Sequence, residues 1–319
     1  MATKLDVGGE VYQFTVAGAS QTFTPLFDRA ALLKRVNITN PSAKDNWTLN
    51  IGGRDLAVFR LSTVGNQQLM SITPPGSAPN LDFFAYCRNF LGIDPVFPVP
   101  LGLSAKLSSV GGATADIDME LLEVDPSDAG SMAINHFLGK HFLIPITWFL
   151  NASQSAAALG VVTVDTQVAP SWFPAIFAGA QVPEGWVIKI LALFLEGVGV
   201  NTFSGAANHQ STTQTVRFSK NGTLLFSRTT SGVPNRGKAS AAGSANTVFG
   251  QQSGVFPPFV FGDFDDSGIL RQPIVLRGGD NLLIQQELQG DGTGGASYLD
   301  ALITAICDVQ VPSGAGSVG

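Results

Sequence analysis

Histidine, cysteine and charge are all scarce in this chain of 319 residues, and each scarcity narrows the function. Of the three histidines, His136 and His141 stand five apart as HFLGKH, without the HExxH spacing of a zinc protease, and His209 stands alone. No His-x-His pair is present to ligate a metal inside a barrel. The two cysteines, Cys87 and Cys307, fall one in each half, so a disulfide framework is excluded and synthesis in a reducing cytoplasm is expected. No apolar run reaches membrane-spanning length, and the opening MATKLDVGGE lacks the hydrophobic stretch of a secretory leader. No serine lies in a GxSxG context, and no glycine-rich phosphate loop is present.

Charge is the most informative shortage. Charged residues make up 13% of the chain, where about 25% is usual. A compact monomer of this size exposes on the order of 12,000 Å², which 18 basic and 24 acidic side chains cover thinly. Subunit contacts are depleted in charge at their centres, so much of this surface is expected to lie between subunits. The net charge is −6 and the basic residues are scattered. Direct, sequence-specific nucleic-acid binding is therefore not expected.

What the chain has in quantity is phenylalanine (22), glycine (36) and proline (18), together with alternating apolar segments. Residues 11–16 (VYQFTV) and 32–40 (LLKRVNITN) read as strands, and 47–51 and 56–61 flank Gly52-Gly53 as a hairpin. Residues 101–107 and 115–124 flank Gly111-Gly112 as a second hairpin. The vocabulary then repeats. Residues 186–196 (WVIKILALFLE) form a long apolar strand, and 214–219 and 223–228 flank Asn221-Gly222, a type I′ signal. Residues 273–277 and 281–288 flank Gly278-Gly279, and 297–311 make a terminal strand. Each half thus runs long strand, hairpin, long insert (63–100 and 229–273), hairpin, terminal strand, which implies a duplicated β domain with 32–40 and 186–196 as equivalent strands. Helix is expected only at 80–91, 128–138 and 153–159.

The expected fold class is all-β with few short helices: two tandem eight-stranded jelly-roll β-barrels. The boundaries predicted are an amino-terminal arm over 1–10, a first barrel over 11–125, an inter-barrel connector over 126–160, a second barrel over 161–311 and a flexible tail over 312–319.

Candidate chemistry is sparse. Residues 262–268 read GDFDDSG, in which Asp263, Asp265 and Ser267 match the opening of a calcium loop. Ile274 stands where the bidentate Glu belongs, so an Asp/Ser/Gly turn is the preferred reading and calcium the alternative. Asp116, Asp118 and Glu120 share one strand face opposite Ile117, Met119 and Leu121, which reads as a solvent or interface face. Cys307 lies in an alternating apolar strand and reads as a small core residue. No catalytic or cofactor-binding residue is assigned, and the chain is expected not to be an enzyme.

The repeated strand order, the Gly-rich hairpins and the long inserts resemble the double jelly-roll major capsid proteins of tailless icosahedral bacteriophages with an internal membrane. The resemblance spans residues 11–311 and rests on architecture, with no diagnostic motif. It implies a structural protein whose three copies form a pseudo-hexagonal capsomer and tile an icosahedral shell. It further implies a virion location after synthesis in the host cytoplasm, with copies of itself, other capsid or vertex proteins and an underlying viral membrane as partners. Two alternatives remain open: a minor capsid, spike or tail-associated virion protein, and a carbohydrate-binding or carbohydrate-active β-sandwich, whose Trp47, Trp148, Trp172 and Trp186 would have to supply a sugar platform.

Overall fold

The computed structural model describes residues 3–7, 10–39, 42, 45–60, 83–93, 97–125, 142–149, 154–155, 161–200, 213–230, 246–249, 269–289 and 297–312. Its strands fall into two pairs of antiparallel sheets.

The first pair is built from β1 (Thr3–Val7), β2 (Glu10–Gly18), β3 (Ser20–Phe23), β4 (Ala30–Thr39), β5 (Asn46–Ile51), β6 (Arg54–Arg60), β7 (Phe97–Val99), β8 (Ala105–Ser109) and β9 (Ala115–Val124). One sheet runs β1-β2-β9-β4-β7 and the facing sheet β3-β8-β5-β6. Alternation sets the inner face. On β9, Ala115, Ile117, Met119 and Leu121 are buried while Asp116, Asp118 and Glu120 look outward. On β5, Trp47, Leu49 and Ile51 point in.

The second pair uses β10 (Phe142–Phe149), β11 (Gln154–Ser155), β12 (Val162–Thr163), β13 (Thr166–Val168), β14 (Ala178–Gln181), β15 (Val187–Val200), β16 (Thr213–Lys220), β17 (Thr223–Thr230), β18 (Asn246–Phe249), β19 (Ile269–Arg277), β20 (Asn281–Gln289) and β21 (Ser297–Gln310). One sheet runs β13-β10-β21-β15, with both β18 and β19 pairing β15; the other runs β12-β20-β16-β17, with β14 also pairing β20.

The two pairs share one topology. Strands β2, β3, β4, β5, β6, β7, β8 and β9 occupy the places taken by β10, β14, β15, β16, β17, β19, β20 and β21. In each, the last strand pairs between the first and third, and successive strands alternate between sheets except at one hairpin. This is the jelly-roll order, made twice. The likeness extends to irregularities. Both third strands carry a bulge at their fifth residue, Lys34 in β4 and Leu191 in β15. Both hairpins, β5–β6 and β16–β17, carry one at the third residue after the turn, Leu56 and Leu225. The turns have matching left-handed backbone, with φ of 59° and 86° at Gly52-Gly53 and 51° and 77° at Asn221-Gly222, as a type I′ hairpin requires. The expected equivalence of 32–40 with 186–196 holds for residues 32–39 and 187–196, which lie in the third strand of each roll. The bulge leaves Leu191 half-buried within this long apolar strand.

Other expectations change. Gly111-Gly112 and Gly278-Gly279 are not hairpins: β8 and β9 lie in opposite sheets, as do β19 and β20. Both glycine pairs are corners at which the chain crosses the sandwich. They are not equivalent corners, because the first joins the last two strands and the second the sixth and seventh. Thr3–Val7, within the expected arm, is a strand paired along β2. Phe142–Phe149, within the expected connector, is the first strand of the second roll and pairs with β21. Gln154–Ser155, expected to be helical, is extended and pairs with β21. A helical segment does form at Phe83–Tyr86, widening to a π turn over Cys87–Leu91 and ending at Gly92 with φ 65°. Phe83 and Phe84 are buried and meet Phe59 and Phe97 edge-to-face, closing the first roll's interior. The helix predicted at 128–138 and the tail 313–319 lie outside the described residues. Topology places both long inserts between the same two strands, after β6 and after β17.

Candidate functional site

Three clusters hold the rolls in shape and to one another. The first is the corner after β8. Asp45, at the entry to β5, is 8% exposed. Its carboxylate accepts from the backbone N–H of Asn46 at 2.7 Å, of Gly111 at 2.8 Å and of Ala113 at 3.4 Å, and from the Ser109 hydroxyl. Burial raises its pKa, but the Ser109 hydroxyl and the three amides outweigh that and hold it below the ordinary carboxylate value. A Cβ on Gly111 would stand 3.0 Å from Asp45 Oδ1, so a larger residue there would have to displace the carboxylate.

The second cluster is the corner after β19. Asp280 accepts from the Arg277 backbone N–H at 2.8 Å and Asn221 Nδ2 at 2.7 Å, and pairs with Lys220 Nζ at 2.9 Å. Asn221 Oδ1 in turn accepts from the Asn281 N–H at 2.9 Å. Desolvation pushes the Asp280 pKa up, but the Lys220 and Asn221 hydrogen bonds, the Arg277 amide and the Lys220 charge together take it down to about 2.

The third cluster is the contact between the rolls. Val58, on the outward face of β6, packs with Phe149 and Val168 from β10 and β13. Trp172 Nε1 donates to the Asp55 carbonyl at 2.7 Å. The Arg54 guanidinium lies 5.5 Å from the Trp172 ring centre, and Trp172 stacks on Trp186 at 6.1 Å. Thr147 and Thr304, on the outward face of β10 and β21, are buried and bonded to each other at 3.2 Å. An outward sheet face of the second roll is therefore covered by an edge strand of the first.

The sequence-derived candidates fare unevenly. Asp263, Asp265 and Ser267 lie outside the described residues, as do His136, His141 and His209. Among the described residues no cluster of His, Cys, Asp or Glu has the makings of a metal site. Cys87 and Cys307 are buried free thiols, and desolvation and then the Asp308 charge push the Cys307 pKa far up. Asp116, Asp118 and Glu120 do share the half-buried outward face of β9. Trp47 and Trp148 are fully buried, Trp186 is buried, and Trp172 sits in the contact between rolls. Trp172 alone of the four is half-buried, and the other three are buried. Sequence reading missed Asp45 and Asp280, and it named Trp172 only as a sugar-platform candidate, not as part of the contact between rolls. Only Asn221-Gly222 beside a GGD corner carried a local signal.

No helix among the described residues is long and apolar enough to cross a membrane. Neither a protein-family model nor a curated protein sequence matches the chain. Solved structures do overlay on it at low scores. The major capsid protein P2 of bacteriophage PM2 is 13% identical, with a TM-score of 0.33, covering 99% of this chain and 97% of that one. PNGase F, a glycosylasparaginase from Flavobacterium meningosepticum, is 11% identical with a TM-score of 0.26, covering 98% and 93%. A peptide-N(4)-(N-acetyl-β-D-glucosaminyl) asparagine amidase is 13% identical with a TM-score of 0.25, covering 95% and 97%. At these scores the overlays carry no functional argument. The expectation of a non-enzyme is corrected to this extent: amidases stand beside a capsid protein among these overlays, and neither an enzyme nor a non-enzyme is shown.

Proposed function

We propose that this chain is a shell-forming structural protein, a major capsid protein whose copies associate as pseudo-hexagonal trimers and tile an icosahedral virion. The observation that carries the reading is the contact between the two rolls. Two eight-stranded units of one topology are joined side by side through outward sheet faces, with Val58, Phe149 and Val168 buried between them. A unit that buries its outer faces against its own duplicate is suited to tiling, because three such chains supply six similar lobes. The thin charge, 13% of residues, supports the same reading. Each roll is taken as a domain, and the partners proposed are copies of the chain and other shell or vertex components, with an underlying viral membrane beneath.

The test is negative-stain imaging of the purified, concentrated protein together with its mass in solution. Three-fold, six-lobed tiles are expected. Bilobed single chains at every concentration would overturn the reading.

A further inference from the structure

Asparagine is a chemically labile residue, and a following glycine makes it more so. With no Cβ, the glycine leaves its own backbone nitrogen open to approach by the preceding side chain. Asn221-Gly222 is the one Asn-Gly pair in the sequence. Both residues are exposed at the β16–β17 turn, and nothing lies within 4 Å of where a Gly222 Cβ would stand. The nucleophile of a deamidation is therefore open to water and base.

The electrophile is held. Asn221 Nδ2 donates to Asp280 Oδ1 at 2.7 Å, and Asn221 Oδ1 accepts from the Asn281 N–H at 2.9 Å. The Asn221 backbone N–H donates to the Asn281 carbonyl at 3.2 Å. Both ends of the amide are thus bound to the β19–β20 corner, where Asp280 is itself held by Lys220 Nζ at 2.9 Å and the Arg277 N–H at 2.8 Å. An amide fixed at both ends is not free to swing its Cγ onto the Gly222 nitrogen, and its Nδ2 is tied to a carboxylate when it would have to leave. The first roll has Gly52-Gly53 at the equivalent turn and carries no side-chain amide there.

We propose that Asn221 is a deamidation site guarded by the Asp280 corner, and that its conversion disables that corner irreversibly. When the corner opens, hydroxide removes the Gly222 amide proton and the nitrogen attacks Asn221 Cγ. The N–Cγ bond forms, the Cγ–Nδ2 bond breaks, and Nδ2 takes a proton from water and departs as ammonia. Water then opens the succinimide ring at one carbonyl or the other, leaving an aspartate or an isoaspartyl link at position 221. The aspartate sets a carboxylate oxygen where the Nδ2 donor stood, 2.7 Å from Asp280 Oδ1, with Lys220 already committed to Asp280. The isoaspartyl link adds a methylene to a two-residue turn whose register depends on its length. Either product keeps the corner from closing as before, and only the second roll carries this liability at its hairpin turn. The inference is independent of the shell-forming reading.

The experiment incubates the full chain in mildly alkaline buffer, folded and in urea, and reads by mass spectrometry the amide-to-acid mass gain in the peptide that carries residue 221. Asp280→Ala and Asp45→Ala are run folded beside it, with folding checked by circular dichroism. The folded parent protein is expected to convert slowly and the urea-unfolded chain much faster. Asp280→Ala is expected to convert about 10-fold faster than the folded parent, because local opening of the corner becomes easier. Asp45→Ala, in the first roll, is expected to stay within about 2-fold of the parent. A parent that converts as fast folded as unfolded would overturn the guard, with no variant needed, and so would an unchanged rate in Asp280→Ala. Equal acceleration by the two variants would assign the opening to global unfolding and overturn the role of the corner. For the irreversible step, Asn221→Asp is expected to unfold at lower urea than Asn221→Gly, which loses the same donor but adds no charge. An Asn221→Asp protein as stable as the parent would overturn that step.

Discussion

The two rolls meet one mechanical demand in different ways. Each must turn its chain from one sheet to the other at a Gly-Gly corner, and each fixes that corner with one aspartate. In the first roll the carboxylate comes from far along the chain: Asp45 reaches Gly111 across 66 residues and is surrounded by amides and a hydroxyl, with no cation among its hydrogen-bond partners. In the second roll the carboxylate sits in the corner itself. Asp280 binds back to Arg277, three residues earlier, and reaches outward to Lys220 and Asn221 of the neighbouring hairpin turn. The buried latch is made of oriented neutral donors, and the more exposed latch of a charge pair. The difference is one of solvation. Where water is excluded, an unpaired donor is costly, so removing the acceptor has a large effect. Where water is near, a charge pair contributes little and salt weakens it.

The largest effect expected is therefore at Asp45. Asp45→Ala leaves the amides of Asn46, Gly111 and Ala113 and the Ser109 hydroxyl without their shared acceptor. A loss of about 2–4 kcal/mol is expected in urea unfolding, nearly the same at low and high salt. Asp280→Ala is expected to lose about 1–2 kcal/mol, and the difference from the parent should shrink as salt rises. Equal losses at the two sites, or salt dependence at Asp45, would break the contrast between a buried and a hydrated latch.

Acid sharpens the same comparison. The folded-state pKa of Asp280 is about 2, against an ordinary value of 3.8. A depressed pKa means that the unfolded chain binds the proton more readily than the folded one. The stabilisation is full above the ordinary value and drains away as pH falls through about 4 toward 2. Asp45 is lowered as well, so it acts in the same direction. Unfolding midpoints measured down that window should fall less steeply in Asp280→Asn than in the parent protein. A parallel decline in the two would show that Asp280 does not carry the acid sensitivity.

How far the sequence discloses this architecture depends on how local each code is. The hairpins at Gly52-Gly53 and Asn221-Gly222 were legible because a type I′ turn is a two-residue instruction, and positive φ at both positions follows from residue type alone. The corners at Gly111-Gly112 and Gly278-Gly279 were misread as hairpins because paired glycines specify backbone freedom and not the partner of the next strand. That partner is set at distance, by Asp45 in one case and by Lys220 and Asn221 in the other. Strand β10 was hidden for another reason. Residues 144–149 are buried on both faces, inward against the core and, at Phe149, outward against Val58 of β6, so the segment reads as a continuous apolar run without alternation. Pro145 reinforced the misreading, yet it sits where β21 pairs β10 and the described part of β13 does not reach. Strand β7, three residues long with Pro98 at its centre, carries too little pattern to be seen. Of the candidate sites, the outward acidic face of β9 was legible from parity, whereas the contact between rolls joins residues such as Asp55 and Trp172 that no local pattern relates.

The smallest effect expected is that of Asn221→Gly, at the turn where the two rolls differ by one residue. Asn221 occupies the position that Gly52 holds in the first roll, with φ of 51° against 59°. Asparagine tolerates this left-handed backbone better than other side chains, and here its amide also links Asp280 to Asn281. Asn221→Gly relieves the backbone but removes both side-chain bonds from a solvent-exposed site, so the two changes nearly offset. A net loss of about 0.5–1 kcal/mol is expected by urea unfolding, with the hairpin register unchanged. Asn221→Ala keeps neither the bonds nor the conformational tolerance, and about 1–2 kcal/mol more should be lost than in Asn221→Gly. If alanine and glycine proved equivalent there, the second roll's turn would not depend on the left-handed geometry that makes it the counterpart of the first.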